Sequence, residues 1–263
     1  MSTMRKILRY ELRDVGRSRA VLLYGVLLLA MTHAVVYFGG GGARAVLSLL
    51  NVILIVVPMV SLVFGTVYLY GAREFIELLL TQPLGRRPIF AGLWCGLTLP
   101  LIVAFVLGVS LPFLWSGSLG RDLVLPLALL LVSGALLTAA FTAIATWIAT
   151  RFDDRASGMG AALAVWFLVA IAWDGMILLV VATLGNLPLQ LPLLGVAMAN
   201  PVDAARIGLV LALDAPALMG YTGAVMQRAV GLWGGLGLTI LALLLWTVLP
   251  LMLARRRFEG KDF

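Results

Sequence analysis

Six apolar runs govern what this chain can fold into: Ala20–Phe38, Ala45–Tyr70, Ile89–Trp115, Leu123–Thr150, Ser157–Leu184 and Ala229–Ala254. Each reaches the roughly 20 residues that a helix needs to cross a hydrocarbon layer about 30 Å thick. In hydrocarbon the backbone N–H and C=O groups must pair among themselves, and a single apolar run achieves this only as a helix. Of the 263 residues, 62% are hydrophobic and 12% charged, whereas a water-soluble domain carries about 25% charged residues. One soluble core cannot bury that much apolar surface, which excludes a soluble enzyme, and a disordered or fibrous chain as well. The expected class is an all-α integral membrane protein with six transmembrane helices.

The basic residues give the orientation. Arg5, Lys6, Arg9, Arg13, Arg17 and Arg19 precede the first span, and Arg73, Arg86 and Arg87 lie between the second and third. Arg151 and Arg155 lie between the fourth and fifth, and Arg255, Arg256, Arg257 and Lys261 follow the sixth. This side holds 15 basic residues and the other holds 4, namely Arg44, Arg121, Arg206 and Arg228. The excess places both termini in the cytoplasm. The net charge of +7 then faces anionic lipid, so membrane lipid rather than nucleic acid is the expected partner. The first run reads as a permanent helix, since a charged stretch precedes it and Gly39–Gly42, without a small-residue cleavage pattern, follows it.

The expected organisation is a cytoplasmic amphipathic helix within residues 1–19, then one six-span domain over 20–263 with a cytoplasmic helical loop at 71–88 and an outer lobe at 185–228. In the first piece Met4, Ile7, Leu8, Leu12 and Val15 recur at helical spacing opposite Arg5, Lys6, Arg9 and Arg13. In the loop, Glu74 and Glu77 share one side of a short helix, and Phe75, Ile76, Leu78, Leu79 and Leu80 give it an apolar surface. That surface either packs on this chain's own helix ends or docks a cytoplasmic partner. The turn Arg151-Phe152-Asp153-Asp154-Arg155 reads as solvated. In the outer lobe, Asn200 is placed to cap a helix opened by Pro201 and Asp203. Its apolar run Ile207–Leu213 is too short to span and reads as interfacial or re-entrant.

Catalytic chemistry is hard to build from these residues. There is no Gly-x-x-x-x-Gly-Lys-Ser/Thr loop to hold ATP. His33 is the only histidine and Cys95 the only cysteine, so neither a His-Glu-x-x-His zinc site nor a disulfide framework can form within one chain. No cofactor, metal or catalytic residue is therefore expected in this chain. Met59, Met176, Met198, Met219 and Met226 have ligands' softness for reduced copper but no shared spacing. Gly92/Gly96 and Gly231/Gly235 fit the small-xxx-small pattern of close helix packing. Asp174 is the one acid well inside a span. It is either a polar gate or substrate contact, or one end of a helix-to-helix hydrogen bond, or the mark of a span that ends sooner, and no second acid lies near it in the sequence.

This layout resembles the membrane permease of ABC-2 type ABC transporters, which works with a separate ATPase. Glu77-Leu-Leu-Leu-Thr-Gln-Pro-Leu-Gly-Arg86 is similar to the coupling-helix region of that family, in particular of the NosY-type branch that serves nitrous oxide reductase maturation. Asn200-Pro201-Val202-Asp203-Ala-Ala-Arg206 is similar to an outer-loop motif of the same permeases, and Arg5–Asp14 to their N-terminal pattern. Tyr70-Gly-Ala-Arg-Glu-Phe-Ile-Glu77 lacks the acidic Glu-x-x-x-Gly-Thr stretch of the NosY-type branch, a departure that bears on the cargo. The resemblance implies a homodimer of permeases on two ABC ATPase subunits, with ATP and Mg held in the ATPase. Glu74, Phe75, Glu77 and Leu78 would be the contacts to that ATPase, and copper or sulfur species would pass to a periplasmic partner. A generic lipid or drug exporter and a non-transporting membrane scaffold are the alternatives.

Overall fold

The computed structural model describes residues 15–39, 42–81, 85–117, 120–184, 190–213 and 220–260. The helix expected over Met4–Val15 lies, apart from Val15, outside the described residues. The regular structure within them is helical throughout: α1 Arg19–Phe38, α2 Gly42–Gly71, α3 Arg73–Leu80, α4 Arg86–Trp115, α5 Arg121–Arg151 and α6 Arg155–Phe167. A π-helical turn, Leu168–Ala172, joins α6 to α7 Trp173–Leu184, and α8 Gln190–Met198, α9 Pro201–Ala212 and α10 Gly220–Gly260 complete the chain. Helices long and apolar enough to span occur at Arg19–Phe38, Arg44–Gly71, Arg86–Trp115, Leu123–Arg151, Arg155–Thr183 and Gly231–Gly260. These are the six expected spans, displaced by a few residues at their ends.

Local chemistry sets several of these ends. Ser18 caps α1 by accepting from the Val21 N–H at 3.2 Å, and Asp154 caps α6 by accepting from the Ser157 N–H at 2.9 Å. Pro58, Pro100, Pro112, Pro126 and Pro250 all stand inside spans, a placement that neighbouring helices make tolerable in a membrane. Among the described residues a Cβ at Gly231, one of the small-xxx-small positions, would meet nothing within 4 Å. The residue's φ of 71° and ψ of 179° break α10 at the start of the sixth span, a conformation that glycine reaches without a Cβ penalty.

The centre of the bundle is α5, against which α10, α2, α4 and α9 pack. Phe105, Phe113, Phe141, Leu97, Leu101 and Leu130 are among the largest fully enclosed side chains. Down α5 runs a stripe of buried threonines that the sequence reading did not single out. Thr138, Thr142 and Thr146 each donate to the carbonyl four residues back, at 2.8 Å, and Thr142 Oγ1 also meets Thr98 Oγ1 of α4 at 2.9 Å. Back-bonding satisfies these hydroxyls inside hydrocarbon, and their small size lets α4 and α5 approach closely.

Between the fifth and sixth spans, the helix opened by Pro201 lies against the bundle itself. α9 packs on α10, α5 and α2, burying Val202, Ala204, Ala205, Leu209 and Leu211. At Gly208 a Cβ would meet Thr239 Cγ2 of α10 at 2.7 Å, so this crossing requires glycine. The fifth span is the least enclosed, with 11% of its most apolar window buried against 50% in the second, third and fourth spans.

Candidate functional site

Two clusters concentrate the polar side chains that a spanning bundle has reason to keep. The first lies at the end carrying α3 and the last turns of α10. From α3, Ile76 and Leu79 face inward and pack with Ile89, Phe90 and Leu93 of α4 and with Ala254 and Phe258 of α10. Phe90 and Phe258 meet ring to ring at 5.5 Å. Phe75 and Leu80 are half-buried against the same cluster. The opposite face carries Glu74, Glu77 and Leu78, all exposed, Leu78 by 65%. One face of the helix therefore packs on this chain, as the first of the two readings has it, and the other face is exposed among the described residues.

Ionic ties brace the base of α3. Arg73 donates to the carbonyls of Asp153 at 2.6 Å and Phe152 at 3.0 Å, and lies over the Tyr70 ring at 4.8 Å. Tyr70 Oη donates to the Phe152 carbonyl as well, at 2.8 Å. The turn between α5 and α6, expected to be only solvated, is thus tied to the start of α3, while Asp153 and Asp154 remain exposed. Hydrogen bonds from the Ser157 backbone and hydroxyl hold the Asp154 carboxyl below the usual carboxylate range. On the far flank Arg86 donates to the Glu259 carbonyl at 2.7 Å, and Arg87 and Arg255 reach Glu259 Oε1 at 3.1 and 2.8 Å.

The second cluster is built where α9 meets the fifth span. Asp174, in α7, receives Arg206 Nη1 at 3.0 Å, and the same guanidinium reaches Asp203 Oδ1 at 3.0 Å. Asp203 is 6% exposed, whereas Arg206 and Asp174 are 35% and 44% exposed. Asn200 caps α9 as expected, its Oδ1 accepting from the Val202 N–H at 2.9 Å. Its Nδ2 donates to the Val169 carbonyl at 2.8 Å. Val169 belongs to the π-helical turn, where the wider register turns carbonyls away from the helical ladder. Asn200 takes up one of them.

This arrangement corrects the sequence reading at one point. Asp174 does have a second acid beside it: Asp203, 29 residues away in sequence and linked through Arg206. The available signal was the Asp203/Arg206 spacing of one helical turn within a lobe too apolar to be a solvated loop. Arg206 thus has two carboxylate partners, gathered with it in one ion-paired group. His33 sits apart from both clusters, in an aromatic group with Tyr37 and Trp115 at 6.2 and 6.1 Å. Among the described residues no three His, Cys, Asp or Glu side chains gather as metal ligands would.

Beside the second cluster an apolar groove of about 610 Å³ opens between α5, the π-helical turn and α10, walled by Trp147, Leu168, Val169, Trp246 and Leu249. Trp246 Nε1 donates across its edge to the Ala199 carbonyl at 3.1 Å.

Residues 5–263 match the profile of the ABC-2 family transporter protein. The chain is 28% identical to the probable ABC transporter permease protein NosY of Pseudomonas aeruginosa over 273 residues, covering 97% of each chain. It is also 28% identical to the probable ABC transporter permease protein NosY of Stutzerimonas stutzeri over 225 residues, covering 79% of this chain and 81% of that one. With six spans in place and the match running from end to end, the chain belongs to the ABC-2 transporter family as a multi-pass membrane permease.

Proposed function

We propose that two copies of this permease work on two ABC ATPase subunits, with both termini and α3 on the cytoplasmic side of a bacterial inner membrane. The observation that carries this reading is the division of α3. Ile76 and Leu79 fix the helix to α4 and α10, while Glu74, Glu77 and Leu78 point away from the bundle. A short helix held rigidly on one face can pass a push from a partner into the spans behind it. Glu74 and Glu77 offer charge to basic residues of the ATPase, Leu78 offers burial, and half-buried Phe75 backs them. Nucleotide and its Mg belong to the ATPase, whose closure drives the spans between two arrangements. The thinly enclosed fifth span offers its apolar face to the second permease.

The cargo proposed first follows the NosY-type resemblance: copper or sulfur species passed to a periplasmic maturation protein. The alternative cargo is an amphiphile, a lipid or a drug, and the 610 Å³ apolar groove flanked by the ion-paired cluster favours it. Purification from native membranes in mild detergent tests the assembly. A stoichiometric ABC ATPase is expected with the parent chain and is expected to be lost from Leu78→Asp at unchanged permease yield. A parent chain that carries no ATPase would overturn the reading and leave the scaffold. A copper-handling periplasmic protein in the same preparation selects the first cargo.

A further inference from the structure

A second groove, of about 480 Å³, runs between the first turns of α4 and the last turns of α10 at the basic end. Phe90, Trp94 and Cys95 from α4 and Met252 from α10 form its apolar wall, and Arg87 and Arg255 stand at its mouth. These two guanidiniums are 72% and 45% exposed, and both lean on a single carboxylate oxygen, Glu259 Oε1. Two cations on one anion leave one positive charge uncompensated, and Arg256 and Arg257 follow it, exposed, in the same stretch of α10. Arginine pairs readily with phosphate oxygens through its planar fork, and basic pockets between spans at the membrane surface suit anionic headgroups.

We propose that this groove binds one anionic phospholipid, with its phosphate between Arg87 and Arg255 and an acyl chain along the α4–α10 wall. A free phosphate would use only the mouth and leave the apolar wall uncovered. A zwitterionic lipid would bring its own ammonium group against the surplus arginine charge. The bound lipid would bridge the two helices on whose Phe90 and Phe258 the inner face of α3 rests. The site needs only this chain and a bilayer, so it stands or falls separately from the transport reading.

Cys95, half-buried in the wall and the only cysteine of the chain, is a built-in reporter. The full chain in phosphatidylcholine nanodiscs, with and without phosphatidylglycerol, is treated with a membrane-soluble maleimide. Phosphatidylglycerol is expected to slow Cys95 modification about fivefold, the scale set by one arginine near an anionic surface. The double variant Arg87→Gln, Arg255→Gln is expected to lose that slowing, and Glu259→Gln, which frees both guanidiniums, to deepen it. Native mass spectra of the parent chain, which need no variant, are expected to retain one phosphatidylglycerol from mixed micelles against excess phosphatidylcholine. Equal rates in both discs, slowing that survives in the double variant, or retention in simple proportion to supply would overturn the proposal. Slowing by inorganic phosphate in pure phosphatidylcholine discs would overturn it too, in favour of a free-anion site.

Discussion

The two polar clusters use the same residue types to opposite ends. At the base of α3, Arg87 and Asp153 are 72% and 80% exposed; ion pairs so exposed are screened by water and salt and contribute little. There the holding is done by apolar contact, Ile76 and Leu79 against Ile89, Phe90, Leu93 and Phe258. At the crossing of α9 and the fifth span the balance reverses. Asp203 is almost enclosed and shares one guanidinium with Asp174, and for Asp203 the protein interior replaces water as the alternative to pairing. A charge pair is then worth most when it is broken, because the survivor has nowhere to go. The difference teaches where ionic contacts are replaceable: the basic end can exchange its ionic partners at small cost, and the cluster around Asp203 cannot.

Removing the shared cation is therefore the strongest way to break the comparison. Arg206→Ala leaves two carboxylates at the crossing, and a loss of about 3 kcal/mol is expected, at the lower end of the range for buried pairs because Asp174 is half-exposed. Thermal unfolding in detergent reads it. The triple variant Arg206→Ala, Asp174→Asn, Asp203→Asn is expected to recover most of the loss, since neutral amides need no counter-charge. A triple variant as unstable as the single one would mean that packing of the Arg206 side chain, not its charge, holds α9.

At the other cluster, the two faces of α3 are compared directly. Ile76→Asp places a carboxylate among Ile89, Phe90 and Phe258 and is expected to cost about 3 kcal/mol. Leu78→Asp, two residues on and exposed, is expected to leave the unfolding temperature unchanged while abolishing substrate-dependent ATPase stimulation in proteoliposomes. Equal destabilisation by both would remove the distinction between an anchored face and a free one. Between these two in character stands Asn200→Ala, which removes the cap of α9 and strands the Val169 carbonyl. About 2 kcal/mol is expected, read by the same unfolding measurement.

How far the sequence carried differs between the clusters for a physical reason. The spans were legible because the hydrocarbon layer imposes a length, and the α9 start because Asn200-Pro201 satisfies local rules of capping. The α3 pattern was legible as far as its apolar and acidic positions, but which of Ile76, Leu78 and Leu79 faces inward depends on where α4 and α10 lie. The Asp174–Arg206–Asp203 group was not legible as a unit. Apolar periodicity in residues 201–213 says that the helix avoids water without saying whether it lies on the bundle or within it. The π-helical turn and the threonine stripe likewise answer to neighbours distant in sequence, Asn200 for Val169 and Thr98 for Thr142.

The smallest effect sharpens the claim that ionic groups at the basic end are local and replaceable. The Asp154 carboxyl is held below the usual carboxylate range by the Ser157 backbone and hydroxyl, and it caps α6 from a fully exposed position. Because its folded pKa lies below the unfolded one, the contribution of the cap is complete above the ordinary range near about 4 and is lost as pH falls through the folded value. Amide exchange at Ser157 is therefore expected to lose protection on acidification before the rest of α6 does. Asp154→Asn keeps an acceptor oxygen for the Ser157 N–H and removes the titration, so its protection is expected to be independent of pH over that window. If protection at Ser157 fell together with that of the whole helix in both proteins, the cap would be coupled to the bundle, and the basic end would be less separable from the cluster around Asp203 than its exposed ion pairs imply.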